Sequence, residues 1–246
     1  MDTFYQDDYL IDSRDIDLFG HCRPSALLGH LQEGATQAAA AIGLSHRACI
    51  ERYNAFWMLV RIRYELLRPV RWGEKLTVKT WHRGARAAMT YREFDLLVGE
   101  ETVGRALSVW VLADWESRQL LKLGDLRELA GTDGGSLCRK DTLHRPKAPA
   151  LLTPAGQRRL NYSDTDINGH INNIHYADYA CDALALEQLG RGKFVSALQI
   201  DYLRECMPGE TVELFTGEAE EGSRYVTGRD GERQDRFDAL VTLTDL

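Results

Sequence analysis

A chain of 246 residues fits one large domain or two of ordinary size, and 44% hydrophobic with 27% charged residues is the composition of a globular protein with a real core. The net charge of −7 argues against a general nucleic-acid binder. No stretch nears the roughly 18 consecutive apolar residues of a membrane span, and the opening MDTFYQDDYLIDSRD has neither the basic start nor the apolar run of a secretory signal. Five cysteines (Cys22, Cys49, Cys138, Cys181 and Cys206) are odd in number, scattered and free of CxxC pairing. They point to reduced thiols in a cytoplasmic setting, not to disulfides or structural zinc.

In chain order, a first strand leads into a turn carrying Asp17, Gly20 and His21. A helix is expected from Pro24, with Leu27, Leu28, Leu31, Ala35, Ala38, Ala39 and Ile42 at helical spacing and Gly43 as its stop. A loose connection follows. Strands are then predicted at Phe56–Leu66, Leu76–Trp81, Thr90–Val98 and Ala106–Ala113. The five tryptophans (Trp57, Trp72, Trp81, Trp110 and Trp115) all fall in this part and read as core, with an apolar acyl tunnel as the alternative for some of them. From Arg61 to Arg92, nine basic residues face only Glu65 and Glu74. That cluster is either a set of solvated strand faces or a docking surface for an acidic partner. A stretch from Arg139 to Pro154, holding Pro146, Pro149 and a second basic cluster, reads as a linker.

The second part repeats the plan. A strand leads into a turn with Asp166, Gly169 and His170, then a helix capped at Asn172 or Asn173 with Tyr176, Tyr179, Ala180, Ala183 and Leu184 as its buried stripe. Weaker strand signals follow at Phe194–Leu203, Thr211–Thr216, Arg224–Gly228 and Phe237–Leu243. Aligned on the histidines, Asp17, Gly20 and His21 match Asp166, Gly169 and His170. Farther on, Leu67, Arg68, Gly73 and Glu74 match Leu203, Arg204, Gly209 and Glu210. Two anchors repeated in the same order indicate an internal duplication, with units 1–138 and 155–246 joined by linker 139–154. A single helix followed by consecutive strands implies an antiparallel sheet wrapped around that helix, an α+β arrangement. Two copies are expected to pair into one larger sheet.

The chemistry concentrates in NYSDTDINGHINN. In an extended stretch, Asp166, Asn168 and His170, spaced by two, would share one face. A base, a group to orient it and the N–H donors of a following helix are the parts needed to attack a carbonyl. Taken alone, the segment reads more readily as an Asx-rich capped turn with a structural histidine. The first copy tips the balance: it keeps Asp17, Gly20 and His21, but Asn168 becomes Phe19 and Glu205 becomes Pro69. One copy keeps a set of reactive groups that the other lacks.

Taken together, DTDINGHINNIHYADY and IDYLRECMPGE, with FWMLVRIRYELLRPVRWGEKLTVKTW, YREFDLL and ALSVWVLADWESRQLLKL in the first half, resemble the acyl-acyl-carrier-protein (acyl-ACP) thioesterases of bacteria and plant plastids. The resemblance covers most of the chain. It implies a tandem (double) hotdog fold, hydrolysis of fatty acyl-ACP to free fatty acid and carrier thiol, no cofactor or metal, and functional positions at Asp166, Asn168, His170 and Glu205. The first copy would bind the acyl chain. Cys206 directly follows Glu205, so water activated by Glu205 and a protein nucleophile are both open. In a regular strand the two side chains point to opposite faces, and Glu205 is expected to be the base, with Cys206 a buried apolar residue. Asn168 would position water or the carbonyl, and His170, held by Asp166, would orient the site. The rival readings are an acyl-coenzyme A thioesterase, a hotdog 3-hydroxyacyl-thioester dehydratase and a non-catalytic acyl-thioester binder. Both a monomer and a homodimer fit the duplication.

Overall fold

The computed structural model describes residues 4–86, 88–122, 134–135, 138–188 and 192–246; residues 1–3 of the acidic start and Leu123 at the end of the last first-half motif lie outside them. The first half contributes β1 (Tyr5–Leu10), α1 (Pro24–Ala41), α2 (His46–Tyr53), β2 (Ala55–Leu66), β3 (Lys75–Arg86), β4 (Met89–Val98) and β5 (Glu101–Asp114). The second contributes β6 (Thr153–Arg159), α3 (His175–Ala183), β7 (Lys193–Tyr202), β8 (Thr211–Glu218), β9 (Arg224–Arg229) and β10 (Asp235–Asp245). All ten strands join one antiparallel sheet in the order β1-β3-β4-β5-β2-β7-β10-β9-β8-β6. Either half of that order maps onto the other by a half-turn about the β2–β7 seam, where Arg61 pairs with Asp201 and Glu65 with Ala197.

The duplication is also written in the backbone hydrogen bonds outside the ladders. Asp17 and Asp166 each donate an N–H to the carbonyl of the histidine four residues on, at 2.8 and 3.0 Å. Cys22 donates to Val70 O as Ile171 does to Cys206 O, and Ile11 donates to Glu74 O as Leu160 does to Glu210 O. Even the carboxylates repeat: Glu74 accepts from Arg71 N at 2.7 Å, and Glu210 from Met207 N at 3.0 Å. These bonds tie each Asp-x-x-Gly-His turn to the segment that leaves the seam strand.

Pro24 opens α1 as expected, and Leu27, Leu28, Leu31, Ala35 and Ala38 are buried against the sheet. Ile42 is not: it lies past the helix end and is 54% exposed. The connection expected to be loose contains α2, whose Ser45 accepts from Ala48 N and so caps its start. In the second half the helix begins at His175, later than either asparagine; Asn172 instead accepts from Ile174 N at 3.2 Å and shapes the entry. The final strands, weak in sequence, are fully laddered: β10 pairs with β7 from Phe237 to Asp245 on one side and with β9 on the other. One hydrophobic core runs under both copies, from Leu27 and Leu31 of α1 through Tyr64, Leu198 and Ile200 at the seam to Tyr176 and Tyr179 of α3.

The segment between the halves crosses the opposite face of the sheet, and it is held there. Arg139 pairs with Glu93, and Leu143, 7% exposed, gives its carbonyl to Arg61 at 2.6 Å. Gln199 donates to His144 O at 2.8 Å, and Arg145 pairs with the fully buried Asp238 at 2.7 Å. Thr153, inside the stretch read as linker, already opens edge strand β6, where Pro154 sits beside a bulge.

Candidate active site

The turn at Thr165–Ile171 is not extended. Asp166 N donates to His170 O and Gly169 N to Asp166 O, so the chain doubles back on itself, with Gly169 at φ 81° where a side chain would be strained. The expectation that i, i+2 spacing puts Asp166, Asn168 and His170 on one face therefore fails; the turn brings them together instead. Asp166 Oδ1 accepts from Asn168 N at 2.8 Å, and Asn168 Nδ2 lies 3.4 Å from Asp166 Oδ2. The remaining amide oxygen, Asn168 Oδ1, is buried without a hydrogen-bond partner. Such an acceptor is costly unless a water or ligand supplies a donor.

His170 sits between two carboxylates. Its Nδ1 lies 3.3 Å from Ile171 O and 3.7 Å from Asp166 Oδ1, while Nε2 lies 3.8 Å from Glu205 Oε1. A carbonyl can only accept, so Nδ1 carries the proton in the neutral ring and Nε2 presents a lone pair to Glu205. Two acceptors at 3.8 Å are too far apart for a direct bond and are suited to a donor shared between them, a water or the imidazolium proton.

Glu205 reaches this place because Ile171 N bonds Cys206 O at 2.9 Å, bringing the segment after β7 against the turn. That segment is not a strand: β7 ends at Tyr202. The divergence of the two side chains nevertheless holds. Glu205 is 37% exposed toward His170, whereas Cys206 is fully buried beside Tyr176, and burial pushes its thiol pKa up. Arg236 fixes the local backbone by donating to Glu205 O at 2.6 Å.

One group at the site is not legible from the motifs. Arg118, from the turn after β5, places Nη1 4.0 Å from Glu205 Oε1 and lies over the rings of Phe56 and Trp115, 4.7 and 4.9 Å from their centroids. It belongs to the other copy, 87 positions upstream, and no local pattern links the two residues.

In the equivalent turn of the first copy the histidine is closed off. His21 is 4% exposed, Phe194 of the second copy stands 6.5 Å from its ring, and burial lowers its pKa. Its N–H donates to Asp17 Oδ1 at 3.0 Å. The N–H of His170 makes no such bond among the described residues, which leaves it free to donate to a ligand oxygen.

A cavity of about 140 Å³ opens inside the first copy, between the second half of α1, α2 and strands β2–β5. Ala35 and Ala39 of α1 line it together with Trp57 and Trp110. Of the other tryptophans, Trp81 is buried, Trp115 meets Phe56 and His46 edge to face, and Trp72 is 65% exposed. In the Arg61–Arg92 cluster, Arg61, Arg63, Arg68, Lys75 and Arg83 each pair with a carboxylate. It does not form one open basic face. Among the described residues no helix is long and apolar enough to cross a membrane.

Comparison with known proteins bears on both halves. The family models for the N-terminal and C-terminal domains of acyl-ACP thioesterases match residues 2–127 and 156–238. The chloroplastic oleoyl-acyl carrier protein thioesterase of Coriandrum sativum is 23% identical over 86% of this chain, and oleoyl-acyl carrier protein thioesterase 1 of Arabidopsis thaliana is 22% identical over 98%. The chain spans 62% and 72% of the lengths of these two relatives. The crystal structure of an acyl-ACP thioesterase from Bacteroides thetaiotaomicron superposes with a TM-score of 0.86 over 98% of both chains at 24% identity, and so shares the double hotdog fold. With both domain models matched in order along a duplicated ten-stranded sheet, this chain belongs to the acyl-ACP thioesterase family.

Proposed function

We propose that the protein hydrolyses fatty acyl-ACP to free fatty acid and the carrier thiol, with catalysis in the second copy (155–246) and the acyl chain held by the first (1–138), the two joined by linker 139–154. The observation that carries this reading is the pairing of His170 Nε2 with Glu205 Oε1 at 3.8 Å, found only in the copy that also keeps Asn168.

Glu205 takes a proton from a water shared with His170 Nε2, and the water oxygen attacks the thioester carbonyl carbon. Asn168 Oδ1, the buried acceptor without a partner, receives a substrate N–H. The carbonyl electrons move onto oxygen, where the free N–H of His170 stabilises the developing charge. When the C–S bond breaks, the proton on Glu205 passes to the departing sulfur. Asp166 fixes the turn by accepting from Asn168 N and backs the Nδ1 side of the imidazole. Cys206 has no place in this sequence, since it is buried away from His170 and its pKa is raised.

Steady-state hydrolysis of one acyl chain on the carrier protein and on coenzyme A tests both the reaction and the carrier. Glu205→Ala should abolish turnover and Cys206→Ala should leave most of it; the opposite result would overturn the water mechanism. A higher kcat/KM on coenzyme A would reassign the carrier.

A further inference from the structure

The cavity of the first copy has a cation in its wall. Arg92 of β4 lines it together with Thr90 and His82. One guanidinium N–H donates to Thr80 Oγ1 at 3.3 Å. Among the described residues no carboxylate pairs with Arg92, whereas Arg61, Arg83 and Arg105 on the same sheet each hold one. Burial lowers the Arg92 pKa to about 10, which leaves it charged at neutral pH. With only the Thr80 hydroxyl, at 3.3 Å, as a side-chain acceptor, the guanidinium has N–H groups left that face the cavity and can donate to an oxygen arriving with a ligand.

The sheet register connects this cation to the catalytic turn. β7 runs antiparallel to β2 with Asp201 opposite Arg61, so residues 203–206 pass alongside the start of β2. Phe56 there carries Arg118, the neighbour of Glu205, and the next residue, Trp57, lines the cavity. Trp110 lies on adjacent β5, Thr90 stands opposite it on β4, and Arg92 faces His82 of β3. β4 is three strands from β7, about 14 Å at ~4.8 Å per strand. That is the reach of an extended acyl chain of medium length.

We propose that this cavity selects acyl chains whose far end carries an oxygen acceptor (a hydroxyl, oxo or carboxylate group) bound by Arg92, over plain alkyl chains of equal length. The inference rests on the proposed thioesterase reading and names the substrate class of that site. A plain methyl terminus would displace water from the guanidinium and leave Thr80 Oγ1 as its side-chain acceptor. Sites built around a hydrogen bond discriminate far more strongly than apolar pockets do against a missing methylene.

The test holds carrier and chain length fixed and compares plain, ω-hydroxy and ω-carboxy acyl-ACP, using wild type and Arg92→Met. The same acids, each esterified with methanol at the carboxyl that hydrolysis would release so that a plain chain brings no carboxylate of its own, are titrated calorimetrically into the same proteins. Wild type should favour at least one oxygenated chain by about tenfold or more in kcat/KM, and the esterified acids should bind in the same order. Arg92→Met should lose the preference and turn over the plain chain faster. A wild type that favours the plain chain, or shows no preference, overturns the proposal; so does a variant that keeps the preference. Calorimetry on the wild type depends neither on turnover nor on the variant folding. If no acyl-ACP is cleaved but the oxygenated esterified acid binds more tightly, the hydrolase reading falls and the cavity assignment stands. If acyl-ACP is cleaved with no preference and the esterified acids bind equally, the cavity assignment falls and the hydrolase reading stands.

Discussion

The seam between the copies rests on a buried ion pair whose removal has a calculable cost. Asp201 of β7 has 1% of its side chain exposed and is paired with Arg61 of β2, 19% exposed. Replacing Arg61 by methionine leaves the carboxylate with Gln199 Nε2 at 2.7 Å as its remaining side-chain donor, and also frees the Leu143 carbonyl. Breaking a buried pair on one side costs about 3–5 kcal/mol. Asp201 can relieve part of that by taking up a proton, because burial already raises its pKa, so a loss near the lower bound, about 3 kcal/mol at neutral pH, is expected. For a chain of this length that is a fall in Tm of roughly 6–12 °C. The sign with pH follows from the raised value: the protonated carboxyl is at ease in the fold, and the penalty appears as pH rises through the folded pKa. The deficit of Arg61→Met should therefore shrink between neutrality and about pH 5. Adding Asp201→Asn should recover most of it at neutral pH. Urea unfolding followed by tryptophan fluorescence measures all three proteins. A single variant within about 1 kcal/mol of wild type at neutral pH, or a deficit that grows on acidification, would refute the account.

Arg118→Met should keep Phe56 and Trp115 covered while removing the charge 4.0 Å from Glu205; since both side chains are 37% exposed, a two- to fivefold loss of kcat/KM is expected, from roughly 0.5–1 kcal/mol, and it should narrow in high salt. Cys206, buried and with a raised pKa, should resist alkylation by iodoacetamide at neutral pH in the folded protein and react on unfolding; rapid inactivation traced to Cys206 by peptide mass mapping would contradict its place in the site. Gly228→Ala would drive a Cβ into the Phe237 ring and to 2.7 Å from Val212 Cγ1, and should lower stability by about 1–3 kcal/mol in the same urea assay.

The duplication is legible in the sequence because its anchors are local: Asp-x-x-Gly-His and the Gly-Glu after the seam strand each define a turn by their own hydrogen bonds, so sequence and geometry agree. The α1 stripe is readable for the same reason, through Leu27, Leu28 and Leu31 at helical spacing. What sequence misses depends on tertiary placement. Asn168 looks like one member of an extended face, but the Asp166 carboxylate closes the turn and orients its amide. Arg118 lies in a different copy from the residue it faces. The basic run Arg61–Arg92 suggests a surface, but Asp201 of β7, Glu101 of β5 and Asp8 of β1, placed beside it only by the sheet, each neutralise one of its members. α2 escapes detection because eight residues with one buried side chain, Cys49, carry little apolar periodicity.

The β2–β7 seam joins two halves that share one peptide chain, and this fixes how the protein responds to dilution. Two separate subunits meeting along such an edge would come apart as their concentration falls, and any substitution would appear in both at once. Here the effective concentration of one half for the other is set by the segment pinned across the sheet, so dilution should not part the β2–β7 seam. The same tether lets a single substitution act on one half only. A pocket can thus be reshaped beside Trp57 and Arg92 while the turn at His170 is left intact.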